Sequence, residues 1–313
     1  MLPVPHRPPA ESLQRGAALI TAILIVAIAS IVATSIYYDS FLYMKRSSNM
    51  LLYDQARLYT LGAEDWAADI LVRDLEDEPD RDHFGEEWAA TLPPLPIDGG
   101  TLMGALEDQQ GRFNLNNLIT VEGEINEPVY EQFKRLLEVT GLNIQLADRV
   151  VDWLDIDQEA MFPDGAEDAL YSGLNVPYRT PNGPVTSASE LLAVEGFDRE
   201  SFLALSPYVT ALPRGSRVNI NTASLPVMYA IVPEISLADA EGLIENRPDD
   251  GFASMEEFTS LAESADPLEL STSSQFFRLT VRVTIGTLQL NMYSLLARES
   301  SVVRPLLRSY GSE

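Results

Sequence analysis

The chain has 313 residues, no cysteine and two histidines, and it carries 47 acidic against 21 basic side chains, a formal charge of −26. Such a surface repels nucleic-acid phosphates and offers many carboxylates to cations. Without cysteine there is no disulfide framework or thiolate metal site, and with only His6 and His83 neither a histidine catalyst nor a His-rich zinc site is expected.

The first element is apolar. Residues 17–38 carry no charge and, at about 1.5 Å per residue, span roughly 33 Å as a helix, enough for a bilayer core. A cleavable signal has a shorter apolar core, so a signal cut after "ATS" at 33–35 is the weaker alternative. Arg7 and Arg15 before the run, and the acidic chain behind it, predict a single pass with a cytoplasmic N-terminus and the bulk outside. Tyr37, Tyr38, Tyr43, Lys45 and Arg46 read as anchors at the outer interface, and Pro3, Pro5, Pro8 and Pro9 as part of an unstructured tail.

The helix is expected to continue. Leu52, Ala56, Tyr59, Ala63, Trp66 and Ile70 recur at spacings of three and four, and Glu78-Pro79 ends the run after about 60 residues, roughly 90 Å. Residues 79–100, ending in "PPLPIDGG", read as a loop, and "TLMGALE" (101–107) as a strand. Helices are expected from Asn126-Glu127-Pro128 to Gly141 and over "NIQLADRVVDWLD". Further helix starts lie at Ser187/Glu190, Ser236/Asp239 and Ser254/Glu257, with no strand between about 113 and 275. In "FFRLTVRVTIG" the period becomes two, and a second alternating run after Gly286-Thr287 predicts a hairpin. The fold class is therefore α+β, with a helical domain inserted between an early strand and its sheet.

Two constellations could carry chemistry. Asp152, Asp155, Asp157, Glu159, Asp164, Glu167 and Asp168 crowd a helix end and the loop after it, a hard-oxygen set suited to calcium. Ala160 stands where an EF-hand needs glycine; a solvated acidic loop is the plain alternative, and a hydrolase carboxylate pair a remote one. The second, "VNINTASLPVMYAIVPEISLADAEGLIENRPDDGFASMEEF" (218–258), resembles helix-hairpin-helix (SAM-like) modules that grip DNA phosphates. Its hairpin Val232-Pro233-Glu234-Ile235-Ser236 lacks glycine, and residues 218–270 hold one basic residue, Arg247, against eleven acidic ones. A packing role fits that charge; a membrane-anchored DNA-uptake or type IV pilus-like minor pilin is the alternative.

Taken together, "RG" before "AALITAILIV", "GRFNLNNL", "DWLDIDQ…GAED", "VNINTAS" and the final strand pair resemble the minor pseudopilin GspK family of the type II secretion system. The resemblance implies a pilin-like fold, a long helix on a small antiparallel sheet, with a large all-α insert. Its segments would be a cleaved leader (1–16), a transmembrane part (17–38), the helix continuation and first part of the pilin-like domain (39–112), the insert (113–275) and the closing strands (276–313). It further implies prepilin peptidase cleavage between Gly16 and Ala17, N-methylation of Ala17, and a non-enzymatic place at the tip of the periplasmic pseudopilus. GspI-, GspJ- and GspH-like minor pseudopilins, the major pseudopilin, the inner-membrane platform and secreted substrates are the partners it implies, with no nucleic acid. Family members are similar in binding calcium in the insert, which maps to Asp155, Asp157, Glu167 and Asp168, with Asp152, Glu159, Asp164 and backbone carbonyls as further candidates. The fifth mature residue would be Thr21, where pilins carry glutamate. A carboxylate in hydrocarbon costs about 2.5–3.5 kcal/mol and needs a partner, whereas threonine can bond its own helix.

Overall fold

The computed structural model describes residues 11–299 and 302–311, with side chains from Ala17 onward. The tail prolines, His6 and Arg7 lie outside the described residues. Two compact units divide at residue 56. In chain order the elements are α1 (Glu11–Asp77), β1 (Leu95–Ile97), β2 (Gly100–Asp108), β3 (Phe113–Asn114), α2 (Glu127–Val139), α3 (Leu146–Leu154), α4 (Asp168–Tyr171) and α5 (Arg199–Leu205). They continue with β4 (Val209–Thr210), β5 (Val218–Asn219), α6 (Leu225–Ile231), α7 (Leu237–Glu245), α8 (Met255–Leu261), β6 (Leu270–Ser271), β7 (Phe276–Ile285), β8 (Leu288–Glu299) and β9 (Val302–Tyr310).

In the first unit α1 is apolar on all sides from Ala17 to Tyr38, and Leu19, Ile23, Ile28, Ile31 and Ile36 are all more than half exposed. From Ala17 this helix is long and apolar enough to cross a membrane, with a mean hydropathy of 2.6 over its best window. The chain is already helical at Glu11, so the last part of the expected leader is helical.

In the second unit β1-β2-β7-β8-β9 form one antiparallel sheet, in that order. Alternation along β7 buries Phe277, Leu279, Val281, Val283 and Ile285 on one face, and Leu290, Met292 and Leu296 of β8 join them. Ala63, Ala67, Ile70 and Leu71 bring the apolar stripe of α1 into the same core. Trp66, expected in that stripe, is 40 % exposed, and the buried face runs through Thr60, Glu64 and Asp74 instead. Polar partners on the sheet explain the exchange. Glu64 accepts from Ser294 Oγ at 2.7 Å and from Arg308 Nη2 at 2.6 Å. Arg298, 2 % exposed at its side chain, donates to Asp74 at 2.7 Å and to both oxygens of Asp82 at 2.5 and 2.6 Å.

Three expectations need correction. "PPLPIDGG" is not all loop: Leu95–Ile97 pairs with β2 through a turn in which Gly99 has φ +79°, a conformation glycine takes at no steric cost. The stretch 113–275 is not strand-free, since β3 pairs with β4 and β5 with β6, both parallel. Each pair joins the first and last residues of one helical block and is two residues long, below any readable period. The C-terminal hairpin also gains β9, which pairs with β8 across a register shift at Leu295/Leu296.

The two blocks have separate cores. One is built on Phe113, Phe133, Leu136, Val151, Leu154 and Tyr171, the other on Ile220, Val227, Met228, Ile231, Phe252 and Phe258.

Candidate functional site

The acidic cluster begins on α3, whose buried face includes Asp148 and Asp152, and continues through Asp155, its C-cap. The chain then loops out and returns at Glu167, the N-cap of α4. Asp152 shapes that loop by accepting N–H groups from Met161, at 3.1 Å to each oxygen, and from Ala166 at 2.6 Å. Only glycine fits at 165, because a Cβ there would lie 2.2 Å from Asp152 Oδ2.

Carboxylate oxygens of Asp152, Asp155 and Glu167, all buried, converge to within 4.8 Å of one another. Asp155 Oδ1 and Glu167 Oε1 have no hydrogen-bond partner among the described residues. Burial and the neighbouring Asp157 and Asp152 charges push the Asp155 carboxyl up to about 7. Burial, with Asp152 and Asp155, does the same to Glu167. Burial also raises Asp152, against its two backbone donors. Three crowded carboxylates, two with orphaned oxygens, form an all-oxygen donor set that fits a calcium ion.

The other candidates lie around this triad. Asp168 Oδ1 accepts Thr180 N at 3.0 Å, and the Thr180 hydroxyl is 3.3 Å from Glu167 Oε2. Asp157 is exposed, and its Oδ1 accepts Glu159 N–H at 2.8 Å. Glu159 is exposed and Asp164 half-buried, and neither joins the three convergent carboxylates. Sequence reasoning missed Asn182, whose Nδ2 donates to Asp157 O and whose buried Oδ1 has no partner among the described residues. Its only signal is the Pro-Asn-Gly turn, where Asn182 has φ +46°.

The asparagines of "GRFNLNN" and "VNINTAS" bind main chain. Asn114 accepts from Leu212 N at 2.9 Å, Asn116 donates to Leu212 O and Val185 O at 2.8 and 2.9 Å, and Asn117 donates to Ser216 O at 2.8 Å. Asn221 accepts from Phe252 N at 2.7 Å. Arg247 is turned inward, donating to Asn221 O at 2.8 Å and Ala223 O at 2.7 Å. In the hairpin itself Glu234 has φ +64°. At the other end of the chain, Thr21 Oγ1 donates to Ala17 O at 3.1 Å and Ala18 O at 3.0 Å, closing its hydroxyl on its own helix.

Two family models, both described as type II secretion system (T2SS), protein K, match residues 111–214 and 218–275, the two blocks of the insert. A type II secretion system protein K of Pseudomonas aeruginosa is 34 % identical over 95 % of this chain and 93 % of its own. The chain belongs to the type II secretion system protein K family. A Pectobacterium carotovorum member is 32 % identical over 96 % of this chain and 98 % of its own. Among solved structures, the GspK-GspI-GspJ complex of enterotoxigenic Escherichia coli contains a chain with a TM-score of 0.76 and 27 % identity, which covers 86 % of this chain and is itself covered fully. The fold is thus the pilin-like α+β frame with an inserted helical domain, and the chain is a minor pseudopilin with an apolar N-terminal helix suited to membrane anchoring.

Proposed function

We propose that this minor pseudopilin sits at the tip of the periplasmic pseudopilus and starts or caps its assembly. The observation that carries this is Thr21. Its hydroxyl is satisfied at 3.1 and 3.0 Å within its own helix, so it needs no charged N-terminus from a subunit above. The relative solved as a GspK-GspI-GspJ complex supports GspI- and GspJ-like subunits as neighbours; in this reading a GspH-like subunit and the major pseudopilin follow below them. Prepilin peptidase cuts between Gly16 and Ala17 and methylates Ala17, the N-terminus stays cytoplasmic, and the bulk hangs in the periplasm on the inner-membrane platform to meet secreted substrates. The role is structural, not enzymatic.

Calcium binds in the insert. Asp152, Asp155 and Glu167 hold it, and Asp157, Asp168 and Asn182 lie within the same loop system. The ion supplies positive charge that relieves the crowded carboxylates and ties the end of α3 to the start of α4.

The test is end-labelling. A gold-labelled tag on the C-terminus, in cells overproducing the secretion system, is expected to mark one end of each filament in electron micrographs; label along the length refutes the tip position. In the same material, mass spectrometry is expected to find methylated Ala17 as the first residue. For DNA uptake, the inward-turned Arg247 weighs against duplex binding, and a gel shift at low salt is expected to give no complex.

A further inference from the structure

A second cluster lies outside the insert, where the chain leaves α1. Glu78 follows the last turn of α1, and Pro79 turns the chain so that His83 and Glu86 come back beside it. His83 Nε2 is 3.7 Å from Glu78 Oε2 and 3.8 Å from Glu86 Oε1, and one ligand atom from each of the three residues lies within 4.8 Å of the others. Both separations are too long for a hydrogen bond, yet they suit ligands spaced around a common centre. The Glu86 side chain is 7 % exposed. Its Oε2 accepts His83 N at 3.0 Å and Trp88 Nε1 at 2.5 Å, while Oε1, aimed at the imidazole, has no hydrogen-bond partner among the described residues. Arg81 holds Glu78 by its other oxygen, leaving Oε2 free to face the histidine.

Charge favours a cation here. Glu86 also approaches Asp74 and Asp82 in an overlapping triad. Arg81 pairs with Glu78 and with Asp250, and Arg298 with Asp74 and Asp82, so the Glu86 carboxylate has no guanidinium partner among the described residues and stands as an unbalanced acid beside the imidazole. A divalent ion would balance it. One imidazole nitrogen with two carboxylates is the donor set of a borderline ion of the zinc class, not of calcium, which takes oxygen ligands.

We propose that Glu78, His83 and Glu86 form a binding site for a zinc-class divalent cation, separate from the carboxylate site of the insert. In the metal-free protein His83 Nδ1 accepts the Gly85 N–H at 3.1 Å, so the ring proton sits on Nε2. Loading moves that proton to Nδ1, and the Nε2 lone pair goes to the metal. The imidazole stays neutral, and Gly85 gives up its hydrogen bond. The ion then ties the end of α1 to the 83–86 turn. Because Arg81 already donates to Asp250 O, at 3.3 Å, it also braces the junction between the pilin-like frame and the insert.

The experiment uses the full chain in detergent, stripped of transition metals and held in saturating calcium, titrated with zinc chloride and separately with cobalt chloride. One zinc per chain is expected by calorimetry, and cobalt is expected to give visible d–d bands. Glu78→Gln, His83→Gln and Glu86→Gln are each expected to weaken zinc binding at least about tenfold and to weaken the cobalt bands. Glu78 is one-third exposed at its side chain, and its amide can keep one contact with Arg81, so Glu78→Gln decides the question if a buried variant fails to fold. No zinc uptake by the wild type, or uptake unchanged by Glu78→Gln, overturns the site.

Discussion

Asp155→Asn is the most informative perturbation of the insert. In the cation-free fold Asp155 titrates at about 7 instead of 3.8, and Glu167 at about 7 instead of 4.5. Both folded values lie above the unfolded ones, so the cation-free fold holds these protons more tightly than the unfolded chain does. Stability from this source is fully present below about pH 4 and is lost as pH rises through about 7. For Asp155 the shift is roughly three units at about 1.4 kcal/mol each, or about 4 kcal/mol. Solvent on the open side of the loop and repulsion shared with Glu167 reduce this to about 2 kcal/mol. Metal-free Asp155→Asn is therefore expected to melt about 4–8 °C above metal-free wild type at pH 8, with the gap closing by pH 4. Calcium should reverse the order: wild type gains stability on loading, and the variant gains far less. Scanning fluorimetry of the full chain in detergent, with chelator or calcium at pH 4, 6 and 8, reads all of this. A variant that melts no higher than wild type without metal at pH 8 would sink the claim of repulsion. An unchanged calcium increment would remove Asp155 from the ligand set.

Other expected outcomes concern backbone and charge. Arg298→Met leaves Asp74 and Asp82 buried beside each other without a counter-charge and should cost about 3–5 kcal/mol, read as a fall in melting temperature; a shift within error would refute the network's importance. Gly165→Ala drives a Cβ against Asp152 Oδ2 and Met161 N, so it should abolish the calcium increment as well as lower stability; calcium titration that matches wild type counts against the loop geometry. Glu234→Gly relieves a left-handed residue worth about 1–2 kcal/mol, offset by roughly 0.5–1 kcal/mol of glycine entropy, so the melting temperature should rise slightly. A fall would mean that the Glu234 side chain makes a contact of its own.

How much was readable follows from the range over which each interaction acts. The stripe on α1, the alternation in β7 and the carboxylates around Asp155 are local patterns, and local patterns survive in one dimension. Trp66 was expected inside because it falls on the three-and-four stripe, whereas Glu64 takes the buried face because Ser294 and Arg308, far along the chain, supply its carboxylate with partners. The same distance hid the Arg298–Asp82 pair and the two-residue pairing of β5 with β6. Within the acidic loop, composition marked the segment in which three carboxylates converge. The choice of Asp152, Asp155 and Glu167 as the convergent three depends on how Met161 and Ala166 fold back onto Asp152, and spacing does not carry that information.

The pairing of Asp108 with Phe277 has a kinetic consequence. The 168 residues between them leave and re-enter the sheet on neighbouring strands. Closing so long a flexible loop is about 3 kcal/mol more costly in entropy than closing a four-residue turn. Once the two helical blocks have collapsed, with their own ends pinned by β3–β4 and β5–β6, the same gap behaves as a short connection. The frame is thereby placed late in folding: β2 meets β7 quickly only after the insert has formed, so the closure cost behind this long-range native pairing falls on the chain whose insert is still unfolded.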